Sequence, residues 1–332
     1  MLRVARLASG FWCFAFLWGA FAAPTQIFSA QASERAQTQN VSQASSPQKS
    51  PAKPQEDRAA DARAVNVAGR QRMLSQRISK AACFVAHGIK QQRHRDQLKA
   101  AHELFRSSLH NLQQGNGGLP KPRNAEVAGG LHRVGLLWSW FGPSALAFAN
   151  SVTVAERAQH LDNILTANLD VLREMNNTVQ LMDTAHSAHA AKAGTQGRNG
   201  ALVSTINRAG RQRMLSQKLA KELCMVAVGF EVDLSRGHTA GTLALLQSEQ
   251  SRLASELPSL GLSNALTAQL MDQFAKVTTL IAPLEEIVAD VLTGGQLDRA
   301  RLETVAVVTD QLLMTLDRSV SLYERGASDG AG

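Results

Sequence analysis

The chain has 332 residues, 44% of them hydrophobic and 19% charged, which is enough to bury one sizeable core or two smaller ones. Aromatic residues make up only 5%, and the helix formers Ala and Leu prevail, so we predict an all-α protein. The net charge of +8 comes from dispersed basic residues without interleaved aromatic side chains, which argues against a nucleic-acid partner.

The N-terminal region has the features of an export signal. Two arginines precede the apolar run 11–21, and small residues around Ala22 suit a signal peptidase. We therefore predict a signal peptide over residues 1–22 and a periplasmic location, with cleavage after Ala32 as the alternative. An uncleaved membrane anchor is a further alternative, although the apolar run is short for a bilayer span.

The first half of the remaining chain predicts a helical module. Residues 23–56, rich in Gln, Ser, Ala and Pro, predict a flexible tether that leads into a module at 57–192. Gly and Pro residues at 115–122 predict a loop, and we expect Gly142–Pro143 to break the third helix. The four expected helices are Asp57–Arg93, His94–Gln114, Asn124–Phe148 and Thr153–His189.

The second half repeats this pattern. Residues 193–200, with three glycines, predict a linker to a second module at 201–325, and 326–332 predict a disordered tail. Apolar positions of the fourth helix recur 141 residues later, since Leu172 and Val179 correspond to Leu313 and Val320. The duplication therefore predicts two tandem four-helix-bundle modules. The helices expected in the second are Ala201–Glu231, Gly237–Leu257, Ser263–Leu292 and Gln296–Glu324.

The first helix of each module carries nearly the same sequence. Residues Ala68–Gln76 recur unchanged as Ala209–Gln217, and each copy continues to a cysteine, Cys83 or Cys224. Amphipathic helices diverge freely while their apolar stripe survives. A run of unchanged polar residues therefore indicates a functional site.

A helical wheel at about 100° per residue divides this segment into two faces. The predicted core face carries Leu74, Ile78, Ala81 and Val85. The opposite face is small or polar in both copies and looks built for a second helix. Its members are Ala68, Gly69, Arg72, Ser75, Gln76, Ser79 and Cys83 in the first copy and Ala209, Gly210, Arg213, Ser216, Gln217 and Cys224 in the second.

Packing these two faces about a local twofold axis would bring Arg72 beside Arg213, with no carboxylate in either repeated segment. At ~6 Å and an effective dielectric constant of about 20, the arginines repel by roughly 3 kcal/mol, whereas an anion about 4 Å from each gains about 4 kcal/mol per contact. We therefore hypothesise one small-oxyanion site per chain, in an intrachain pseudo-dimer that is otherwise a monomer. The alternative is that each arginine is a solvated surface charge. Close approach would be allowed by Gly69 and Gly210, and neutral hydrogen bonds would come from Ser75, Ser216, Gln76 and Gln217.

The run Ala-Gly-Arg-Gln-Arg-Met-Leu-Ser-Gln at 68–76 resembles the PilJ-type domain, the N-terminal sensor module of type IV pilus methyl-accepting chemotaxis transducers. It is more distantly similar to the periplasmic sensor domain of nitrate/nitrite sensor kinases, a four-helix bundle that binds nitrate through an arginine of its first helix. By position, this resemblance implies the same role for Arg72 and Arg213, with nitrate or nitrite as the ligand. The chain departs from the kinase pattern at Arg70 and Arg211, where those kinases tend to have a small residue.

Other chemistry-bearing residues give weaker signals. A disulfide between Cys83 and Cys224 across the proposed interface is one expectation, and two buried free thiols are the other. His186 and His189 lie one helical turn apart and could together bind a metal ion, but we expect them at a solvated helix end and predict no metal or cofactor. No Ser/His/Asp order, phosphate-binding loop or carboxylate pair recurs in both modules, so we expect no enzyme activity.

The sequence thus predicts an exported, non-enzymatic sensory protein that binds a small oxyanion and signals through a membrane sensor or transducer, because the chain shows no kinase or signalling domain. The alternative is a ligand-independent periplasmic interaction module that docks on a membrane receptor or a pilus-related component.

Overall fold

The computed structural model describes residues 54–192 and 198–329, and these ranges contain eight α-helices and no strand. The predicted signal peptide, the tether up to residue 53, residues 193–197 of the linker and residues 330–332 of the tail lie outside the described residues. The helices are α1 (Pro54–Ala86), α2 (Gln91–Gln114), α3 (Ala125–Asn150), α4 (Val154–Lys192), α5 (Arg198–Ala227), α6 (Val232–Glu256), α7 (Asn264–Leu292) and α8 (Arg299–Asp329), with a 3₁₀ turn at Leu257–Leu260.

The fold is all-α, as predicted, and consists of two tandem helical bundles. In the first, α1 packs on α2 and α4, and α3 packs on the same two helices; α5 to α8 repeat this arrangement. The two halves meet chiefly through α1 and α5 in one compact unit. Because α1 has neighbours on several sides, both its predicted core face and its Arg72 face are buried. No helix in the described ranges combines the length and hydropathy needed to cross a bilayer.

The first helix of each half ends earlier than predicted, at Ala86 rather than Arg93 and at Ala227 rather than Glu231. Gly88 has φ 79° and Gly229 has φ 77°, values that suit glycine because it has no Cβ. The amide of Ile89 donates to the carbonyl of Phe84 at 2.9 Å, and that of Gly88 donates to Val85 at 3.1 Å. This is a Schellman cap, and the second copy repeats it at Gly229. The repeated glycine therefore terminates the helix.

The expected break at Gly142–Pro143 is wrong, because α3 continues through Pro143 to Asn150. An interior proline costs about 3 kcal/mol. Phe141, Ala145 and Phe148 are all fully buried on either side of it, and their burial outweighs that cost. The fit is close here, since a Cβ at Gly142 would lie 2.7 Å from the Trp138 ring.

The outer boundaries of the expected modules also differ from the prediction in three places. α1 begins at Pro54, within the expected tether, because proline suits the first position of a helix. α5 begins at Arg198, within the expected linker, because one glycine costs a helix only about 1 kcal/mol. α8 continues to Asp329, so 326–329 are helical rather than disordered. Gly326 is buried against Leu262, which anchors this end.

Candidate functional site

The two repeated helices face each other, and their equivalent residues meet. A disulfide joins Cys83 to Cys224, with Cα atoms 6.1 Å apart. A Cβ added at Gly210 would lie 3.3 Å from Nη2 of Arg213 and 3.7 Å from Nη2 of Arg72. The two guanidinium groups therefore converge beside this glycine, and a side chain there would crowd both.

Each arginine is held by an asparagine of the other copy. Arg72 Nη2 donates to Oδ1 of Asn207 at 2.8 Å and to its carbonyl oxygen at 3.1 Å. Arg213 Nη2 donates to Oδ1 of Asn66 at 2.6 Å. Asn66 and Asn207 are themselves equivalent at the spacing of 141 residues. The contact is therefore reciprocal, and each arginine is hydrogen-bonded to the opposite helix.

The asparagines link the arginines to carboxylates of the fourth helices. Asn66 Nδ2 donates to Oε1 of Glu324 at 2.6 Å, and Asn207 Nδ2 donates to Oδ2 of Asp183 at 3.3 Å. These acids also occupy equivalent positions. An indirect connection of this kind partly balances the charges of the two cations.

One pair of positions breaks the symmetry. Arg213 Nη1 forms an ion pair with Oδ1 of Asp317 at 2.7 Å. The equivalent contact in the first half joins Arg72 Nη1 to the neutral Oδ1 of Asn176 at 3.4 Å. The repeated segments contain no neutralising carboxylate, but Asp317 of α8 supplies one to Arg213, so the expectation that both arginines lack one is wrong for Arg213. Within the described ranges, Arg72 has no carboxylate at ion-pair distance.

Both guanidinium groups are inside the protein, so the alternative of solvated surface charges is wrong. Arg72 is 4% exposed and Arg213 is 1% exposed. Burial and the charges of Arg213 and Arg211 lower the pKa of Arg72 to about 9. Burial also lowers the pKa of Arg213, although Asp317 opposes this shift. A pKa of about 9 keeps Arg72 cationic at neutral pH, and Arg72 lacks the ion pair that Arg213 makes with Asp317.

The predicted neutral donors are buried, but other protein groups already accept their hydrogens. Ser75 Oγ donates to the carbonyl of Arg72 at 2.9 Å, and Ser216 Oγ donates to that of Arg213 at 2.8 Å. Nε2 of Gln76 donates to Ser75 Oγ at 3.4 Å, while Nε2 of Gln217 donates to the carbonyl of Thr309 at 3.2 Å. Each serine hydroxyl has a single hydrogen, so donation to an anion would require the two serine side chains to give up these acceptors.

The four polar partners of the arginines were not predicted as site residues. Asn66 and Asn207 stand at the same position of the two repeats, a signal present in the sequence. Asn176 and Asp317 are also equivalent, but each lies 104 residues beyond its arginine. Only the pairing of the fourth helices with the first ones reveals these two.

The histidine pair differs from its prediction. His186 is buried rather than solvated, and its Nδ1 lies 2.9 Å from Oδ2 of Asp61. Arg123 donates to the same carboxylate. His189 is exposed and takes no part in this contact. Across the described ranges, no group of three or more His, Cys, Asp or Glu side chains is arranged to hold a metal ion.

Comparison with known proteins identifies the family. The family model described as "Type IV pili methyl-accepting chemotaxis transducer N-term", or PilJ, matches residues 56–164 and 195–306, one segment in each half and together more than half of the chain. Neither the curated proteins nor the solved structures contain a match. The matched segments include both converging arginines and both cysteines. The chain therefore belongs to the PilJ family of sensory chemotaxis-transducer modules and carries two tandem copies of the domain.

Proposed function

We propose that this chain is an exported, non-enzymatic sensory module that binds one small oxyanion between α1 and α5, with nitrate or nitrite favoured, and signals through a membrane sensor or transducer. One observation carries the proposal. Arg72 is a buried guanidinium, 4% exposed, without a carboxylate at ion-pair distance among the described residues. Its counterpart Arg213 already has Asp317.

The electrostatics favour the Arg72 side of the interface. Asp317 already compensates Arg213, so an added anion gains most beside Arg72. Nε and Nη1 of Arg72 reach their acceptors, Gly69 and Asn176, only at 3.4 Å, near the limit of a useful hydrogen bond. An oxyanion that replaced these contacts would lose little and would gain roughly 4 kcal/mol at about 4 Å and a dielectric constant near 20.

A matched pair of substitutions tests this asymmetry. Asn176→Asp is expected to weaken nitrate or nitrite binding at least tenfold, because it gives Arg72 the carboxylate that Arg213 has. Asp317→Asn is expected to strengthen binding, because it leaves both arginines uncompensated. Melting curves in nitrate, nitrite and chloride at equal ionic strength measure the effect. With nitrate or nitrite at 100 times its dissociation constant, the wild-type protein should gain about 2.7 kcal/mol of stability.

Two outcomes would refute the oxyanion proposal. One is a wild-type melting temperature that responds equally to all three salts. The other is an identical oxyanion response in the wild type and both variants. Neither result would affect the family assignment, which rests on the matched segments.

A specific surface feature favours the second candidate function, ligand-independent docking on a membrane receptor or pilus-related component. Leu136 and Trp140 lie one turn apart on α3 and are 59% and 51% exposed. Exposed apolar side chains of this size mark contact surfaces when they cluster. Capture of the same membrane partner by wild type and by the Arg72→Ala, Arg213→Ala double variant, without added anion, would favour this function.

A further inference from the structure

A cavity of about 110 Å³ lies between α4 of the first half and the α5–α6 corner of the second. A single water molecule needs about 10–15 Å³, so the space suits several waters or a small organic molecule. It is separate from the arginine site, because Lys221 in its wall lies eight residues beyond Arg213 on α5, roughly 12 Å along the helix. Its apolar wall includes Leu165, Leu169 and Met225.

Two buried charged groups in this wall lack part of their hydrogen bonding. Lys221 is 1% exposed, and its only hydrogen-bond acceptor among the described residues is Asn168 Oδ1 at 2.7 Å, whereas an ammonium group has three donors. Glu222 is also 1% exposed. Its Oε1 accepts from Lys218, but its Oε2 has no partner in the described part of the chain. A buried charged group without its hydrogen-bond partners costs free energy. A ligand that supplied partners to both Lys221 and Glu222 would therefore bind more tightly.

At the equivalent position in the first half, the buried lysine has a carboxylate partner within the protein. Lys80, the counterpart of Lys221, donates to Oδ1 of Asp310 at 2.8 Å. Arg93 and Gln97 also donate to this carboxylate, at 2.8 and 2.7 Å. The position equivalent to Asp310 is Leu169, and the position equivalent to Glu222 is Ala81. The second half therefore lacks the carboxylate that faces the lysine in the first half and has an acid beside its lysine instead.

The lysine carries a charge under ordinary conditions. Burial lowers the pKa of Lys221 to about 8, although Glu222 opposes the shift. At neutral pH the wall therefore presents a cation next to a carboxylate, and Glu231 adds a second carboxylate at the exposed rim. An anion alone would satisfy only the lysine, and a cation alone would satisfy only the glutamate.

We propose that this cavity is a second binding site, for a small zwitterion of the α-amino-acid class. The ligand carboxylate accepts hydrogen bonds from Lys221, as Asp310 does from Lys80. The ligand ammonium donates to Oε2 of Glu222, and the apolar wall contacts its side chain. The protein would then sense an organic solute independently of the oxyanion.

Calorimetric titration of the purified protein with the standard amino acids tests the proposal. We expect at least one to bind, and its carboxylic-acid and amine analogues, each lacking one charge, to bind at least tenfold more weakly. Leu169→Asp is expected to abolish binding, because it places a carboxylate where Asp310 stands in the first half. Glu222→Gln is expected to weaken binding of the amino acid at least tenfold and to leave binding of the carboxylic-acid analogue unchanged.

The two proposed sites can fail independently. Asn176→Asp should leave amino-acid binding unchanged, and Leu169→Asp should leave the nitrate response unchanged. The proposal is overturned if no amino acid binds at millimolar concentration, or if Leu169→Asp binds like wild type at an unaltered melting temperature. If that variant does not fold, equal binding of the amino acid to Glu222→Gln and wild type overturns it.

Discussion

Replacing Cys83 and Cys224 by alanine is expected to lower the free energy of unfolding by about 4–5 kcal/mol. The disulfide spans 141 residues, and a cross-link over ~100 residues already removes about 4.7 kcal/mol of unfolded-chain entropy in the loop-closure description. Both side chains are also fully buried between α1 and α5, so truncation leaves a small void. Urea unfolding of the oxidised wild type and the double variant measures the difference.

Reduction of the disulfide by a thiol reagent is the control for this experiment. A thiol reductant should lower the stability of the wild type toward that of the variant and should leave the variant unchanged. Two reactive thiols in the denatured, unreduced wild type would contradict the disulfide. Unfolding curves that coincide for wild type and variant would contradict its role in stability.

Asp310→Leu is expected to destabilise the protein by about 3–5 kcal/mol, because it removes one partner of a buried ion pair. Lys80 is fully buried, and Asp310 faces it at 2.8 Å while accepting from Arg93 and Gln97. Adding Lys80→Met to this variant should recover most of the loss, since an apolar pair leaves no uncompensated charge. Substitution of the exposed Glu103, which pairs with Arg106, should have little effect.

The effect of Asp310 should depend on pH in a defined direction. Burial raises the pKa of this carboxyl, but the charge and hydrogen bond of Lys80 outweigh it and lower the pKa to about 2 from 3.8. A lowered pKa means that the stabilisation is complete above 3.8 and is lost as the pH falls toward 2. The difference between wild type and Asp310→Leu should therefore shrink between pH 5 and pH 2. A constant difference across that range would contradict the ion pair.

The helix content and the α1–α5 contact could be predicted because both depend on local pattern. Apolar spacing indicated the helices, and the unchanged run at 68–76 indicated which faces meet. Gly88 is visible in the sequence, but a glycine by itself does not show whether it caps a helix or lies within one. A break at Pro143 is predicted because the local cost of proline can be read from the sequence, whereas the burial of Phe141 and Phe148 is a tertiary gain that cannot.

The charge balance of the arginine site could not be predicted from the repeated helices. Asp317 and Asn176 come from α8 and α4, and only the packing of those helices brings them to the guanidinium groups. The solvated position predicted for His186 is wrong for the same reason, because its partner Asp61 lies 125 residues away in the sequence. Long-range polar partners require knowledge of which helices are neighbours.

The difference between Asn176 and Asp317 has a consequence for how the protein would report concentration. Two identical subunits related by a twofold axis must carry the same residue at both positions, so they offer two equal sites that can couple. A covalent tandem can keep one of each. If one oxyanion binds per chain, its binding curve should be a single hyperbola with a Hill coefficient of about 1. Occupancy would then rise gradually over roughly two decades of oxyanion concentration.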